Sequence, residues 1–217
     1  MIKFINLHTH NYTNAPDILE LVNQYPLEFD VAIPFYSVGI HPWKVNEQTL
    51  EEELTIIESK LPLENCLALG ECGLDKRIEV PFDLQVSAFE RQLMLAEKYR
   101  KPLVIHCVAA FQELIETKRR LQISVPIIIH GFSKGEELAR QLIDNGFYLS
   151  FGKYLLRNPE FESVFKNIPE DRFFLETDTI EEGIREVYAL AANYRKVDLD
   201  TLKTITDTNF HHVFSCR

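Results

Sequence analysis

Short apolar runs rich in β-branched residues alternate with longer helical patterns along the whole chain, and most of these runs end on a histidine or a carboxylate. The runs are Phe4–His8, Val31–Ile40, Leu67–Glu71, Leu103–His106, Val125–His130, Tyr148–Phe151 and Phe173–Glu176. Each is short enough for a strand, and several follow Pro or Gly. Between them, Leu84–Tyr99 sets Leu84, Ala88, Phe89, Gln92, Leu93, Leu95 and Ala96 at three- and four-residue steps, the period of a helix covering a sheet. Ala110–Leu121, Glu136–Asn145 and Glu182–Arg195 follow the same pattern. Strands alternating with helices predict parallel βα units, and nearly continuous apolar strands predict burial on both faces.

Two architectures satisfy that pattern. Seven strand runs in 217 residues stand at the small end for a TIM-like (β/α) barrel, whose usual length is about 250. A doubly wound sheet competes, but no G-x-G-x-x-G or G-x-x-x-x-G-K-[ST] follows a strand, and the polar residues gather at strand ends. That placement favours the barrel, in a compact or incomplete form. The chain has no internal repeat and no Pro/Gly/Ser-rich linker, so a single domain over 1–217 is expected. With 46% hydrophobic and 26% charged residues, it can bury roughly 70% of its unfolded surface.

A net charge of −10 excludes a protein that holds nucleic acid by Lys and Arg alone, so a phosphate ligand needs local cations, which bound metals can supply. Asn6 and His8 interrupt the first apolar stretch, which argues against a secretory signal. The longest near-apolar run, Val31–Ile40, contains Pro34 and falls well short of the roughly 18 residues of a spanning helix, so no membrane segment is expected. Cys66, Cys72, Cys107 and Cys216 form no C-x-x-C pair and suit a reducing cytoplasm.

His8-Thr9-His10 closes the first run, and side-chain alternation turns both imidazoles to one side, where they can converge on one ion. Alone, a His-x-His is as well explained as a polar strand end. Here Glu71, His106 and His130 close three further runs, and Asp178 follows the last in Leu-Glu-Thr-Asp. A buried strand ending in an uncompensated carboxylate or imidazole costs several kcal/mol. A shared metal centre compensates them together. Imidazole and carboxylate without thiolate suit Zn²⁺, Mn²⁺ or Mg²⁺, and six ligands suffice for two ions sharing a carboxylate.

The ordered motifs His-x-His, Gly-Ile-His-Pro, Gly-Glu-x-Gly-Leu-Asp, Pro-x-x-Ile-His, His-Gly-Phe and Glu-Thr-Asp, spread from Asn6 to about Phe214, resemble the TatD family of metal-dependent deoxyribonucleases. The resemblance implies a barrel, divalent-metal dependence and phosphodiester hydrolysis on DNA. By position it implies that His8, His10, Glu71 and Asp178 hold one ion, that Glu71, His106 and His130 hold the other, and that His41 faces the substrate phosphate.

The departures bear on substrate. Asn6 stands where the family has Asp, Val108 where it has a phosphate-gripping Arg, and Ile180 where it has Pro. The following loop is shortened to Glu181-Glu182-Gly183, and the second βα unit, between His10 and Gly39, is abbreviated, which accounts for seven strands. Metal binding survives such changes better than DNA recognition does.

Other residues have simpler explanations. Cys72 and Cys107 flank ligands but alternate away from them, as core thiols. His211 and His212 suit a solvated face or helix cap in a C-terminal stretch that docks a last helix. Lys134, Lys153 and Arg157 follow the fifth and sixth runs and serve solubility or, alternatively, substrate phosphates.

The sequence thus predicts a hydrolase with up to two divalent ions, acting on DNA or another phosphodiester, with no stable protein partner. Asp178 is expected to orient or deprotonate the attacking water. One rival keeps the metals and changes the substrate to a small phosphoester, lactone or amide, a change that the Val108 departure favours. The other is a non-catalytic, metal-stabilised interaction protein, against which the full ligand set argues.

Overall fold

The computed structural model describes residues 2–214, so Cys216 lies outside the described residues. Eight strands join in chain order into one sheet: β1 (Phe4–Thr9), β2 (Ile18–Gln24), β3 (Tyr36–Val38), β4 (Cys66–Asp75), β5 (Leu103–Val108), β6 (Ile127–Ile129), β7 (Phe147–Phe151) and β8 (Phe173–Leu175). β1 pairs with β2, β3 with β4, β4 with β5 and β7 with β8, all in parallel. The helices are α1 (Leu50–Lys60), α2 (Phe82–Tyr99), α3 (Phe111–Arg120), α4 (Glu136–Asp144), α5 (Lys153–Arg157), α6 (Phe161–Lys166), α7 (Ile184–Arg195) and α8 (Leu199–Phe214). The four helices expected from periodicity are α2, α3, α4 and α7, each within two residues of its expected bounds. No helix among the described residues is long and apolar enough to cross a membrane.

Two expectations need correction. Among the described residues eight strands are present where seven were expected: β2 was hidden because Glu20, Asn23 and Gln24 interrupt its apolar run. All three are buried and bonded. Glu20 accepts the Thr13 N–H and hydroxyl, Asn23 Oδ1 accepts the Glu71 N–H, and Gln24 Oε1 accepts the Asp30 N–H. The abbreviation between His10 and Gly39 therefore lies in the connections, where no α-helix follows β1 or β2. The run Val31–Ile40 is strand only over Tyr36–Val38. Asp30 gathers the Ala32 and Ile33 N–H groups into a turn, an Asp habit that competes with extended pairing, and Val31 is left 83% exposed.

The described residues divide into two compact units, residues 2–22 with 129–214, and residues 23–128. In the first, every residue of β1 is buried, and each fully buried Ile or Leu there contributes roughly 1.5–3 kcal/mol. Tyr188 of α7 fixes the start of β1: its hydroxyl accepts the Ile5 N–H at 3.0 Å and lies 2.8 Å from the Thr206 hydroxyl of α8. The far end of β1 is bridged to Asp178, just beyond β8.

In the second unit, α2 packs on β4 and carries two buried amides that finish off strand ends. Gln85 accepts the Asp75 N–H and donates to the Asp75 and Val80 carbonyls, while Gln92 accepts the Ile40 N–H. Both glycines of the Gly-Glu-x-Gly motif hold φ values that L side chains rarely adopt, +143° at Gly70 and +146° at Gly73. A Cβ on Gly70 would stand 2.3 Å from the Val104 carbonyl oxygen, so only glycine lets β4 approach β5 this closely around Glu71.

Candidate metal centre

Each unit carries its own cluster of metal-type side chains. In the first, β1 and the segment after β8 zip together: Asp178 N–H donates to the His8 carbonyl at 2.9 Å, and His10 N–H donates to the Asp178 carbonyl at 3.1 Å. Asn6 secures the same segment, donating from Nδ2 to Thr177 Oγ1 and accepting the Thr177 N–H at Oδ1. The Asn6 amide thus has a structural use, meeting the Thr177 hydroxyl with its donor and the Thr177 N–H with its acceptor. Asp178 sits at φ 53°, a left-handed conformation that Asp and Asn tolerate better than most residues. Its Oδ1 lies 3.7 Å from His8 Nε2 and 3.5 Å from His10 Nε2, and the three residues form a group compatible with an ion. The structure thus brings His8 and His10 to one carboxylate oxygen of Asp178.

His130 belongs to the same unit, its ring centroid 4.3 Å from that of His8. Behind it stands Glu176, 1% exposed, whose Oε1 lies 3.5 Å from His130 Nδ1 and accepts the Gly131 N–H at 2.7 Å. Burial pushes the Glu176 carboxyl upward, but the neighbouring His130 outweighs it and holds it below its ordinary value. Glu176 is thus an anionic backing for His130.

The second unit brings His41, Glu71 and His106 together. Glu71 Oε1 lies 3.0 Å from His41 Nε2 and 3.2 Å from His106 Nδ1. The opposite nitrogen of His106 lies 3.3 Å from Asp75 Oδ2, which also accepts the Trp43 indole N–H at 2.9 Å. His41 Nδ1 accepts the Trp43 backbone N–H at 3.1 Å. The contacts form a ring through Glu71, His41, Trp43, Asp75 and His106. Burial alone would push the Asp75 carboxyl upward. Hydrogen bonds from the Trp43 indole, the Arg77 N–H and His106 hold it below its ordinary value instead.

The ring assigns protons, and the donor set can be tested for a cation on that basis. An imidazole whose Nδ1 accepts an N–H carries its own proton on Nε2, so His41 donates to Glu71 and has no lone pair left for an ion. His106 is the reverse: Nε2–H donates to Asp75, which leaves the Nδ1 lone pair facing the Glu71 carboxylate. Two acceptors facing each other need a proton or a cation between them. Glu71 and His106 therefore fit a divalent ion, as do Asp178, His8 and His10. His106 and His130 are each backed by a carboxylate, the arrangement that orients metal-binding imidazoles and raises their basicity.

Asp75, Trp43 and Glu176 were not singled out in the sequence, although Asp75 and Glu176 lie in motifs already recognised there. Their signal is position: each carboxylate lies a few residues from a ligand. Cys72 is fully buried, its thiol pushed well above the ordinary value by burial and by the Glu71 charge. His211 and His212 lie on the exposed face of α8. Arg157 pairs with Glu182 at 3.3 Å.

The family profile of TatD-related DNases matches residues 1–215. The chain is 33% identical to the metal-dependent hydrolase YabD of Bacillus subtilis over 164 residues, which cover 74% of this chain and 62% of that protein. It is 26% identical to the 3′-5′ ssDNA/RNA exonuclease TatD of Edwardsiella piscicida, over 94% of this chain and 85% of that one. The crystal structure of YjjV, a TatD homologue from Escherichia coli K12, superimposes with a TM-score of 0.82 at 20% identity over 100% of this chain and 99% of the other. Its likeness establishes the fold, a TIM-like β/α barrel.

Proposed function

Because the chain belongs to the family of TatD-related DNases, we propose that it is a divalent-metal-dependent phosphodiesterase that hydrolyses DNA. The observation that carries this reading is the pair of carboxylate-backed imidazoles, His106 on Asp75 and His130 on Glu176, each in a cluster with further ligand-type groups. We assign His8, His10, His130 and Asp178 as ligands in the first unit and Glu71 and His106 in the second. Zn²⁺, Mn²⁺ and Mg²⁺ all suit such nitrogen and oxygen donors. An ion held there supplies Lewis acidity to a phosphoryl oxygen and to water.

The protein's own groups orient and move protons. Asp178, partly exposed and adjacent to two imidazoles, accepts the proton of the attacking water. His41 is buried and donates to Glu71, so its role here is to hold that carboxylate in place. The name of the Edwardsiella relative supports single-stranded nucleic acid as substrate. A small phosphoester is the second reading, favoured by Val108, which offers no charge where the family has Arg. The test is purified protein with Mg²⁺, Mn²⁺ or Zn²⁺ against labelled single- and double-stranded DNA and a chromogenic phosphodiester. Cleavage of single-stranded DNA supports the proposal. Turnover of the chromogenic ester alone selects the second reading.

A further inference from the structure

The largest side chain beside the second cluster is also one of its most exposed. Trp43 has 62% of its surface open to solvent, yet its indole N–H is bound at 2.9 Å to Asp75, a carboxylate that is itself buried. Scattered exposed apolar residues are ordinary on any protein surface. Trp43 differs from them in being held in a fixed orientation by the group that orients His106. Its two ring neighbours, His41 and His106, meet it nearly perpendicularly, at 85° and 77° with centroids 5.0 and 5.9 Å away. Among the described residues no aromatic ring stacks in parallel on the indole.

The other oxygen of Asp75 accepts the Arg77 N–H at 2.8 Å. Asp75 is the strand partner of Val108, and Lys76 N–H donates to the Val108 carbonyl, so Lys76 and Arg77 emerge beside the position that lacks the expected Arg. Lys76 is paired with Glu113. The exposed Arg77 side chain pairs with no acid among the described residues and so remains available to an anion.

We infer that Trp43 is a stacking platform for a nucleobase and that Arg77 contacts a neighbouring phosphate, so that this end of the second unit binds single-stranded nucleic acid through base and backbone. The inference deepens the phosphodiesterase reading and rests on it for the nucleic-acid substrate. Every base has a π-face, so such a platform accepts single strands with little regard to sequence. It also gives an acidic protein a means of holding nucleic acid that does not rest on net charge.

The chain has one tryptophan, so its fluorescence reports on Trp43 alone. The experiment titrates full-length protein, in chelator to prevent cleavage and again in Ca²⁺, with a dye-labelled oligothymidylate and with an abasic oligomer of the same length. Dye anisotropy reads binding and indole emission reads stacking. Oligothymidylate is expected to quench the emission saturably, with the abasic oligomer leaving it unchanged. Trp43→Ala should weaken oligothymidylate binding by about 5- to 150-fold, the range of one base–aromatic stack, without affecting the abasic oligomer. Trp43→Phe should keep most of the affinity, and Arg77→Gln should flatten the salt dependence by roughly one unit of slope. Bound oligothymidylate that leaves the indole emission unchanged, or an abasic oligomer that quenches equally, overturns the platform and leaves the phosphodiesterase reading standing. Binding of neither oligomer under either condition overturns the inference together with the nucleic-acid substrate.

Discussion

His41 Nε2 stands 3.0 Å from Glu71 Oε1 while His41 Nδ1 receives the Trp43 N–H, an arrangement that suits a hydrogen-bond donor to Glu71. Removing such a partner of a metal-binding group typically costs 10- to 100-fold in metal affinity or activity. His41→Ala is therefore expected to weaken divalent-ion binding by about that factor, with His41→Gln, which keeps a donor, recovering part of it. Isothermal titration with Zn²⁺ or Mn²⁺ checks this. Loss of a whole equivalent of bound metal in His41→Ala would instead make His41 a ligand.

Asp178 permits a separation of chemistry from folding. Its φ of 53° suits Asn as well as Asp, so Asp178→Asn keeps the turn that zips to β1 while removing one charge. Turnover should fall by about 100-fold or more, the scale of losing a general base, with thermal unfolding in chelator close to wild type. Near-normal turnover removes Asp178 from the mechanism, and marked destabilisation without metal makes it a structural partner.

A pH dependence is expected away from the site. Glu97 accepts the Ser124 and Val125 N–H groups at 2.8 and 3.2 Å, as well as the Ser124 hydroxyl. Desolvation raises its carboxyl, but these bonds outweigh it and the group lies below its ordinary value. With the folded value depressed, its contribution is fully present above the unfolded value of about 4.3 and is lost as pH falls through the folded one. The glutamate is partly solvated, so its replacement by Gln should cost on the order of 1 kcal/mol at pH 7. Urea unfolding should show that gap at pH 7 and a smaller one at pH 3, and a gap that stays constant or widens in acid contradicts the assignment.

Residues that repeat a pattern were legible in the sequence. Apolar runs ending in His8, Glu71, His106 and His130 disclosed parallel strands and put candidate ligands at or beside their ends, and the spacing of Ala88, Phe89 and Leu93 disclosed α2. What stayed hidden depends on pairing across the fold. β2 is a strand because Glu20, Asn23 and Gln24 find buried partners elsewhere, which no local period records. Val31 to Phe35 read as strand by composition, but Asp30 closes a turn there. Asp75 and Glu176 lay in view inside recognised motifs, and only coordinates show that each backs an imidazole.

On the proposed reading, these side chains hold divalent ions that hydrolysis requires. The most direct measurement determines metal content by elemental analysis, with cleavage of single-stranded DNA, in wild type and in a His10→Ala, His130→Ala double variant after identical metal loading and desalting. Up to two ions per wild-type chain are expected, with fewer in the variant and cleavage that stops in chelator and returns with added metal. Equal metal content in both proteins, or cleavage that persists in excess chelator, contradicts that reading.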